Sequence, residues 1–426
     1  MKKVVVIGGG WAGCAAAISA KKAGADVTLI ERTDMVLGLG NVGGIMRNNG
    51  RYTAAEESIL LGGRELFEIT DACSRHKDID FPGHKHASLY DVNIIEGVVR
   101  RKLLEMKINL LLKSRVVDAT LEGNTIKSVT LENGKVINGD SFVETTGTTG
   151  PMGNCLRYGN GCAMCVLRCP SFGPRVSITQ KCGVKDMIGK RNDGNYGAFS
   201  GSVKLNKESL SEEIRNELNK NGLVVIPLPE EEINQGKLNI KVCQQYALEA
   251  FAKNLILLDT GHAKLMVPYY PLDKLRKIEG FENAKYEDPY SGGIGNSIRY
   301  LSVAKRNNNL KVIGVDNLFV AGEKSGFYVG HTEAIVTGYL AGHNSVKNAL
   351  GIPLLELPRT IAIGDLVAYG NEILDSEDGD KLKVTFAGSV YFERMKKLGL
   401  YTIDKNYLKD KIFKLGLMNV YDEKII

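Results

Sequence analysis

No apolar stretch in this 426-residue sequence approaches the roughly 18 residues a membrane-spanning helix needs. A secretory signal is missing too. Lys2 and Lys3 precede an apolar run, but the run breaks into Gly8-Gly9-Gly10 without a cleavage-type site. A cytoplasmic protein with no membrane partner is therefore expected. Charge of one sign is scarce: a net +6 from 55 basic and 49 acidic residues permits contact with nucleic acid without arguing for it. The most basic stretches, Arg394 to Lys397 and Lys405 to Lys414, read as solvated faces of short amphipathic helices. A second glycine-rich βαβ unit for a nicotinamide nucleotide is also lacking. The electron donor or acceptor stays open, and a redox protein such as a ferredoxin is among the candidates.

What is present begins with a short apolar strand over 3–7. It runs into Gly8-Gly9-Gly10-Trp11-Ala12-Gly13, which fits G-x-G-x-x-G, and then into a helix of small residues from Cys14 to Ala20. A second strand, Asp26 to Ile30, ends at Glu31. Each part has a physical role. Gly8 permits the sharp turn, Gly10 lets a pyrophosphate approach the backbone, and Gly13 lets the helix pack on the strand. The helix N-terminus offers unpaired N–H groups to phosphate, and Glu31 can accept from ribose hydroxyls. The glycine-rich segment Leu37 to Gly44 follows closely. Backbone of this kind suits a flat isoalloxazine ring and tilts the dinucleotide toward FAD.

Further along, 52–75 and 91–106 read as helices, and 108–121, 125–131 and 135–138 as a strand meander with an Asn133-Gly134 turn. His76, His84 and His86 fall in an expected loop around Pro82-Gly83, more simply at a surface or substrate than on a metal. A strand over 141–145 leads back to the nucleotide sheet. Residues 151–310 lose the βαβ rhythm, with a helix at 209–221 and the segment 240–253 as the clearest regular elements. The chain then returns with a strand over 317–323 and a small-residue helix from Thr332 to Leu350. Its start can favour negative charge on the pyrimidine end of a flavin, and His331 beside it can pass protons or stabilise reduced flavin. The fold class is thus α/β: a three-layer, Rossmann-like FAD-binding domain with a parallel sheet, built from 1–150 and 311–355. A mixed α+β substrate lobe is inserted at 151–310, and a C-terminal extension covers 356–426.

Five of the eight cysteines lie between Cys155 and Cys182. The run Cys162-x2-Cys165-x3-Cys169-Pro170 reproduces the last three ligands of the bacterial ferredoxin pattern. Three readings stay open. The favoured one is a 4Fe–4S iron–sulfur cluster held by Cys162, Cys165, Cys169 and either Cys155 or Cys182. The second is a flavin-linked dithiol, with Cys162 and Cys165 as reacting thiols and Arg157, Arg168 and Arg175 lowering their pKa values. The third is structural zinc or structural thiols, for which a second Cys-x2-Cys or a histidine pair is wanting. Cys14 reads as a small buried residue.

On the segments Val5 to Cys14, Asn41 to Gly44, Thr145 to Thr148, Leu318 to Gly322 with Glu333-Ala334, and Leu357 to Leu366, the chain resembles the GidA-type flavoproteins. That group includes tRNA-modifying GidA proteins and folate-dependent tRNA-uridine methyltransferases. The resemblance implies that Gly8, Gly10, Gly13, Glu31, Gly43, Gly44, Gly147, Gly322 and Glu323 line FAD. Trp11, Ala12, Arg32, Val117, Thr146 and His331 complete the expected cofactor set, and a homo-oligomer is expected by the same likeness. The chain departs from the methyltransferase pattern in having no cysteine from Arg32 through Asn49. The primary expectation is an FAD-dependent oxidoreductase that passes electrons between the flavin and the cysteine-rich site or a small substrate. The alternatives are an FAD- and folate-dependent RNA uridine methyltransferase, or a flavin-binding subunit of a larger redox complex.

Overall fold

The computed structural model describes residues 1–147, 169–199, 202–233, 235–238, 244–267, 270–287 and 298–426. Five parallel strands form its centre: β1 (Lys3–Ile7), β2 (Asp26–Ile30), β3 (Asn109–Leu111), β4 (Ser141–Glu144) and β5 (Leu318–Val320). Their order is β5-β4-β1-β2-β3. Val4 to Ile7 are buried, as are Phe142 and Val143. A strand covered on both faces needs apolar side chains in both directions, hence the unbroken Val-Val-Val-Ile.

On one face lie helices α1 (Trp11–Lys22) and α2 (His331–Ala349). Their sequences are rich in Ala and Gly because the helices nearly touch. A Cβ on Gly338 would stand 2.4 Å from the Ala12 carbonyl oxygen, and one on Gly342 2.2 Å from that of Ala16. On the other face lies the antiparallel meander Val116–Glu122, Thr125–Leu131, Val136–Asn138. Its Val116, Ile126, Val129 and Leu131 share a core with Val5, Ile7 and Phe142. The three layers are those of a Rossmann-like domain.

Several expected elements are cut differently. The strand expected over 108–121 is two strands in two sheets, broken where Lys113 turns left-handed (φ 51°). Lys113 and Ser114 donate their N–H groups to the Thr33 and Glu31 carbonyls, which swings Ser114–Val116 over the end of β2. The helix expected over 52–75 is two, Gly50–Leu60 and Glu65–Ala72, divided at Gly62, whose φ of 96° no other residue adopts readily. The expected histidine loop is a hairpin, Ser74–Phe81 with His84–Tyr90, and Pro82-Gly83 is its turn.

The inserted lobe has a four-stranded antiparallel sheet, in spatial order Val203–Leu205, Ala263–Leu265, Asn254–Asp259, Leu223–Pro227. Helix Glu212–Asn221 covers it, opened by a Ser211 cap and closed at left-handed Gly222. The regular segment expected over 240–253 is a turn at Gln244–Tyr246 and a short helix at Glu249–Lys253 where described. Three C-terminal helices, Ala362–Leu374, Ser389–Lys397 and Lys405–Lys414, bury Leu366, Tyr391 and Ile412 in the same core as Ala15 and Tyr339.

Candidate functional site

The carboxyl ends of β1, β2, β4 and β5 open into a cleft of about 590 Å³, the place where open α/β sheets take ligands. Its floor is the first glycine turn. Gly8 has φ 105°, and a Cβ there would lie 2.5 Å from the Thr145 carbonyl oxygen. A Cβ on Gly13 would fall 1.8 Å from the Gly8 carbonyl oxygen, so only glycine lets α1 lie against β1. Above Gly10 there is no atom within 4 Å of where a Cβ would stand. That bare backbone, next to a helix start with no acidic residue in its first turn, is a cradle for a diphosphate.

At one end Glu31, 8% exposed, accepts from the Gly9 N–H at 2.7 Å and the Thr33 N–H at 2.8 Å. Each carboxylate oxygen keeps a second lone pair for a ligand hydroxyl. Arg32 donates to the Gly173 carbonyl and Arg175 to that of Gly147. With Ser114, Arg115, Val116 and Thr146, these residues wall the end that suits an adenosine.

The other end is built around the helical turn Gly40–Gly43, closed by left-handed Gly44. A Cβ on Gly43 would strike His331 Cε1 at 1.7 Å, so the turn packs against the Cε1 edge of that imidazole. The Tyr90 hydroxyl donates to the Gly40 carbonyl at 2.6 Å and stands 3.3 Å from His331 Nδ1. Its single proton is committed to Gly40, so Nδ1 is the donor in the second contact. His331 opens α2 after Gly330, whose φ is 149°. Just beneath, Glu333 is fully buried and meets Arg51 at 3.1 Å, while accepting from the Thr385 hydroxyl at 2.7 Å and the Phe386 N–H at 2.8 Å.

Gly8, Gly10, Trp11, Ala12, Glu31, Arg32, Gly43, Thr146, Gly147, Gly322, Glu323 and His331 all line the cleft. Gly13 and Gly44 sit behind it as packing positions, Gly44 against Thr260. Val117 does not line it; Val116 does. The break at Lys113 sets which face each residue of the following strand takes, and alternation turns Val117 away. The sequence reading missed Lys204, Gln245, Tyr246, His262, Lys264 and Met266, which the inserted lobe brings to the cleft. The one available signal was a lysine alone between buried apolar neighbours, in Val-Lys-Leu and Ala-Lys-Leu.

Cys155, Cys162 and Cys165 lie outside the described residues, and Cys169 is described only as the first residue of the short helix Cys169–Phe172. Cys182 packs with Ile178 and Val184 in the core beneath the meander. Burial, then Glu144 and Asp118, push its thiol up to about 12, so it is held protonated and is a poor nucleophile. Cys14 is fully buried and donates to the Gly9 carbonyl at 3.3 Å. The histidine trio does not converge. His76 Nε2 meets Asp259 at 2.9 Å, and His84 Nε2 donates to the Gln245 carbonyl at 2.9 Å. His86 Nδ1 lies 2.8 Å from Asp78. Among the described residues no three His, Cys, Asp or Glu side chains gather as a metal site, and no helix is long and apolar enough to cross a membrane.

A buried network ties the insert to the sheet behind the cleft. Lys324, with no exposed surface, meets Asp186 at 2.5 Å and donates to Ser177 at 2.8 Å. Glu144 accepts from the N–H groups of Ile178 and Thr179 at 3.0 and 2.8 Å. Desolvation pulls the Lys324 ammonium below its ordinary pKa.

Comparison with known proteins adds a family. Residues 3–257 and 260–353 match the family described as glucose inhibited division protein A. In fold the chain is similar to Aquifex aeolicus GidA. The form II crystal gives a TM-score of 0.63 at 15% identity, over 97% of this chain and 76% of that one. The form I crystal gives 0.61 at 14% identity, over 97% and 78%. Among curated proteins none matches the chain in sequence.

Proposed function

Since the chain belongs to the glucose inhibited division protein A family, we propose that it is an FAD-dependent enzyme whose substrate meets the flavin at the Gly40–His331 end of the cleft. The observation that carries the reading is the bare backbone at Gly10 between the start of α1 and Glu31. These residues fit FAD: N–H groups at the α1 start for the diphosphate, Glu31 for ribose hydroxyls, and the Gly40–Gly43 turn with His331 for the ring. FAD, when bound, supplies two-electron chemistry that the side chains do not possess. The chain's own contribution is orientation and charge. The N-terminus of α2 favours negative charge facing it. His331, its Nδ1–H held toward Tyr90, is placed to hold or move a proton at Nε2.

Family membership favours modification of an RNA uridine, using FAD and folate, over electron delivery to a sulfur-rich centre. The helix Lys405–Lys414 supports that choice, since it exposes Tyr407 and Phe413 among Lys409, Lys411 and Lys414. Aromatic and cationic side chains together are what unpaired bases and phosphates need. A second reading, an oxidoreductase acting on a small molecule, is favoured by the cleft itself, whose ring end carries buried Lys264.

The test is purification followed by extraction of the yellow chromophore and its identification by chromatography. FAD near one per chain is expected, with strong loss in Glu31→Ala. A colourless protein that takes up no added FAD would overturn the proposal. Retention of tRNA on a filter, falling as salt rises, is expected of the RNA reading, and no retention at low salt removes it. Stoichiometric iron after anaerobic purification would restore the sulfur-centre reading.

A further inference from the structure

We infer that the ring end of the cleft is a subsite for a small organic oxyanion, a carboxylate or phosphate ester, clamped between Lys204 and Lys264. The inference rests on the FAD reading above and names the substrate class of that site. The two lysines are direct partners across the antiparallel strands Val203–Leu205 and Ala263–Leu265. Like charges placed opposite each other destabilise a sheet, and Lys264 is only 4% exposed, so its ammonium is largely stripped of water. Val203, Leu205, Ala263 and Leu265 are all fully buried in the lobe's own core. Alternation therefore turns both lysines to the opposite face, toward the cleft.

Both ammonium groups rest on the turn beneath the ring position. Lys204 Nζ donates to the Asn41 carbonyl at 3.2 Å. Lys264 Nζ donates to the Val42 carbonyl and to Ser202 Oγ, each at 2.6 Å. A third residue points the same way. Gln245 is 4% exposed and lines this cleft, yet its Oε1 has no hydrogen-bond partner among the described residues. A buried acceptor left without a donor costs about 1–3 kcal/mol, so such atoms mark places where something else binds. The subsite thus fits an anionic group between the lysines, with a neighbouring N–H or O–H on the same molecule facing Gln245.

Capping of the turn's carbonyls alone would also use two lysines, and the experiment separates the two roles. Trp11 is the only tryptophan in the chain and lines the cleft, so its emission reports occupancy without turnover. FAD-loaded protein is titrated with benzoate, phenyl phosphate and neutral benzamide, followed by flavin absorbance and Trp11 emission. At least one of the two anions is expected to saturate the signal, and which one does so identifies the group. Benzamide is expected to bind at least about tenfold more weakly, a difference of about 1.4 kcal/mol. Lys204→Gln and Lys264→Gln are each expected to weaken the anion while FAD is retained. Benzamide binding as well as the anions, or variants that bind unchanged, would overturn the subsite. If the variants do not fold, the unaltered protein decides: the anions must bind more tightly than benzamide, and equal affinity overturns the inference. Protein that holds FAD but binds neither anion removes the subsite alone; protein that holds no FAD removes both readings.

Discussion

His343 lies wholly buried in α2, and neither ring nitrogen has a hydrogen bond among the described residues. Burial, with Lys347 nearby, lowers its pKa from 6.5 to about 4. The unfolded chain therefore takes up a proton on acidification that the folded chain refuses. Stability from this group is complete above pH 6.5 and drains away as the pH falls toward 4, by an amount on the order of 3 kcal/mol. His343→Phe is expected to melt higher than the parent at pH 5 and to lose much of the difference between pH 5 and pH 8. Equal acid sensitivity in both proteins would refute the assignment. Cys182 gives a second prediction at this scale. With its thiol pushed up to about 12, it is expected to resist iodoacetamide at pH 8 in native protein and to react in urea, as mass spectrometry of the peptides would show. Rapid native alkylation would show the thiol to be accessible and reactive.

Among elements, the contact of α1 with α2 is the tightest constraint on the cleft. Gly342→Ala gains about 1 kcal/mol of helix propensity. The added methyl, however, would sit 2.2 Å from the Ala16 carbonyl oxygen, which is backbone and cannot swing aside. Overpacking of this kind costs about 1–3 kcal/mol and sometimes more, so the clash wins and net destabilisation is expected in urea unfolding. A variant as stable as the parent would mean that the helices part easily. The first βαβ unit could be read from the sequence because its signals are local: Gly8, Gly10, Gly13 and Glu31 lie within one short stretch of chain. Gly43 and His331 were both singled out, but their contact joins residues far apart in the chain, which no spacing rule reveals. Val116 rather than Val117 lines the cleft, because left-handed Lys113 ends one strand and resets the alternation of the next. Lys204 and Lys264 escaped notice because a lysine in a strand ordinarily marks the solvent face, and only the docking of the inserted lobe turns that face inward.

At the scale of the whole molecule, the C-terminal region is part of the same body as the nucleotide sheet. Arg51 and Glu333 form the joint, with Thr385 and Phe386 of the C-terminal region bonded to the same carboxylate. Arg51→Ala leaves a buried carboxylate unpaired, a loss of about 3–5 kcal/mol. It is expected to release FAD and the C-terminal helices together on limited proteolysis. Removing residues 352–426 is expected to give insoluble chain, because Leu366, Phe386, Tyr391 and Ile412 fill the core around α2. A soluble truncated protein that keeps its flavin would show the two regions to be independent.

The central sheet takes its fourth strand at Ser141–Glu144 and its fifth only at Leu318–Val320. On a ribosome adding about 5–20 residues per second, the interval between them is roughly ten to thirty seconds. Throughout it, β4 has an unpaired edge and the apolar face of α1 has no α2 to cover it. Nascent chains stalled before Leu318 should therefore be the ones chaperones hold and proteases find, and FAD should fail to rescue them, because half of its cradle has yet to be made.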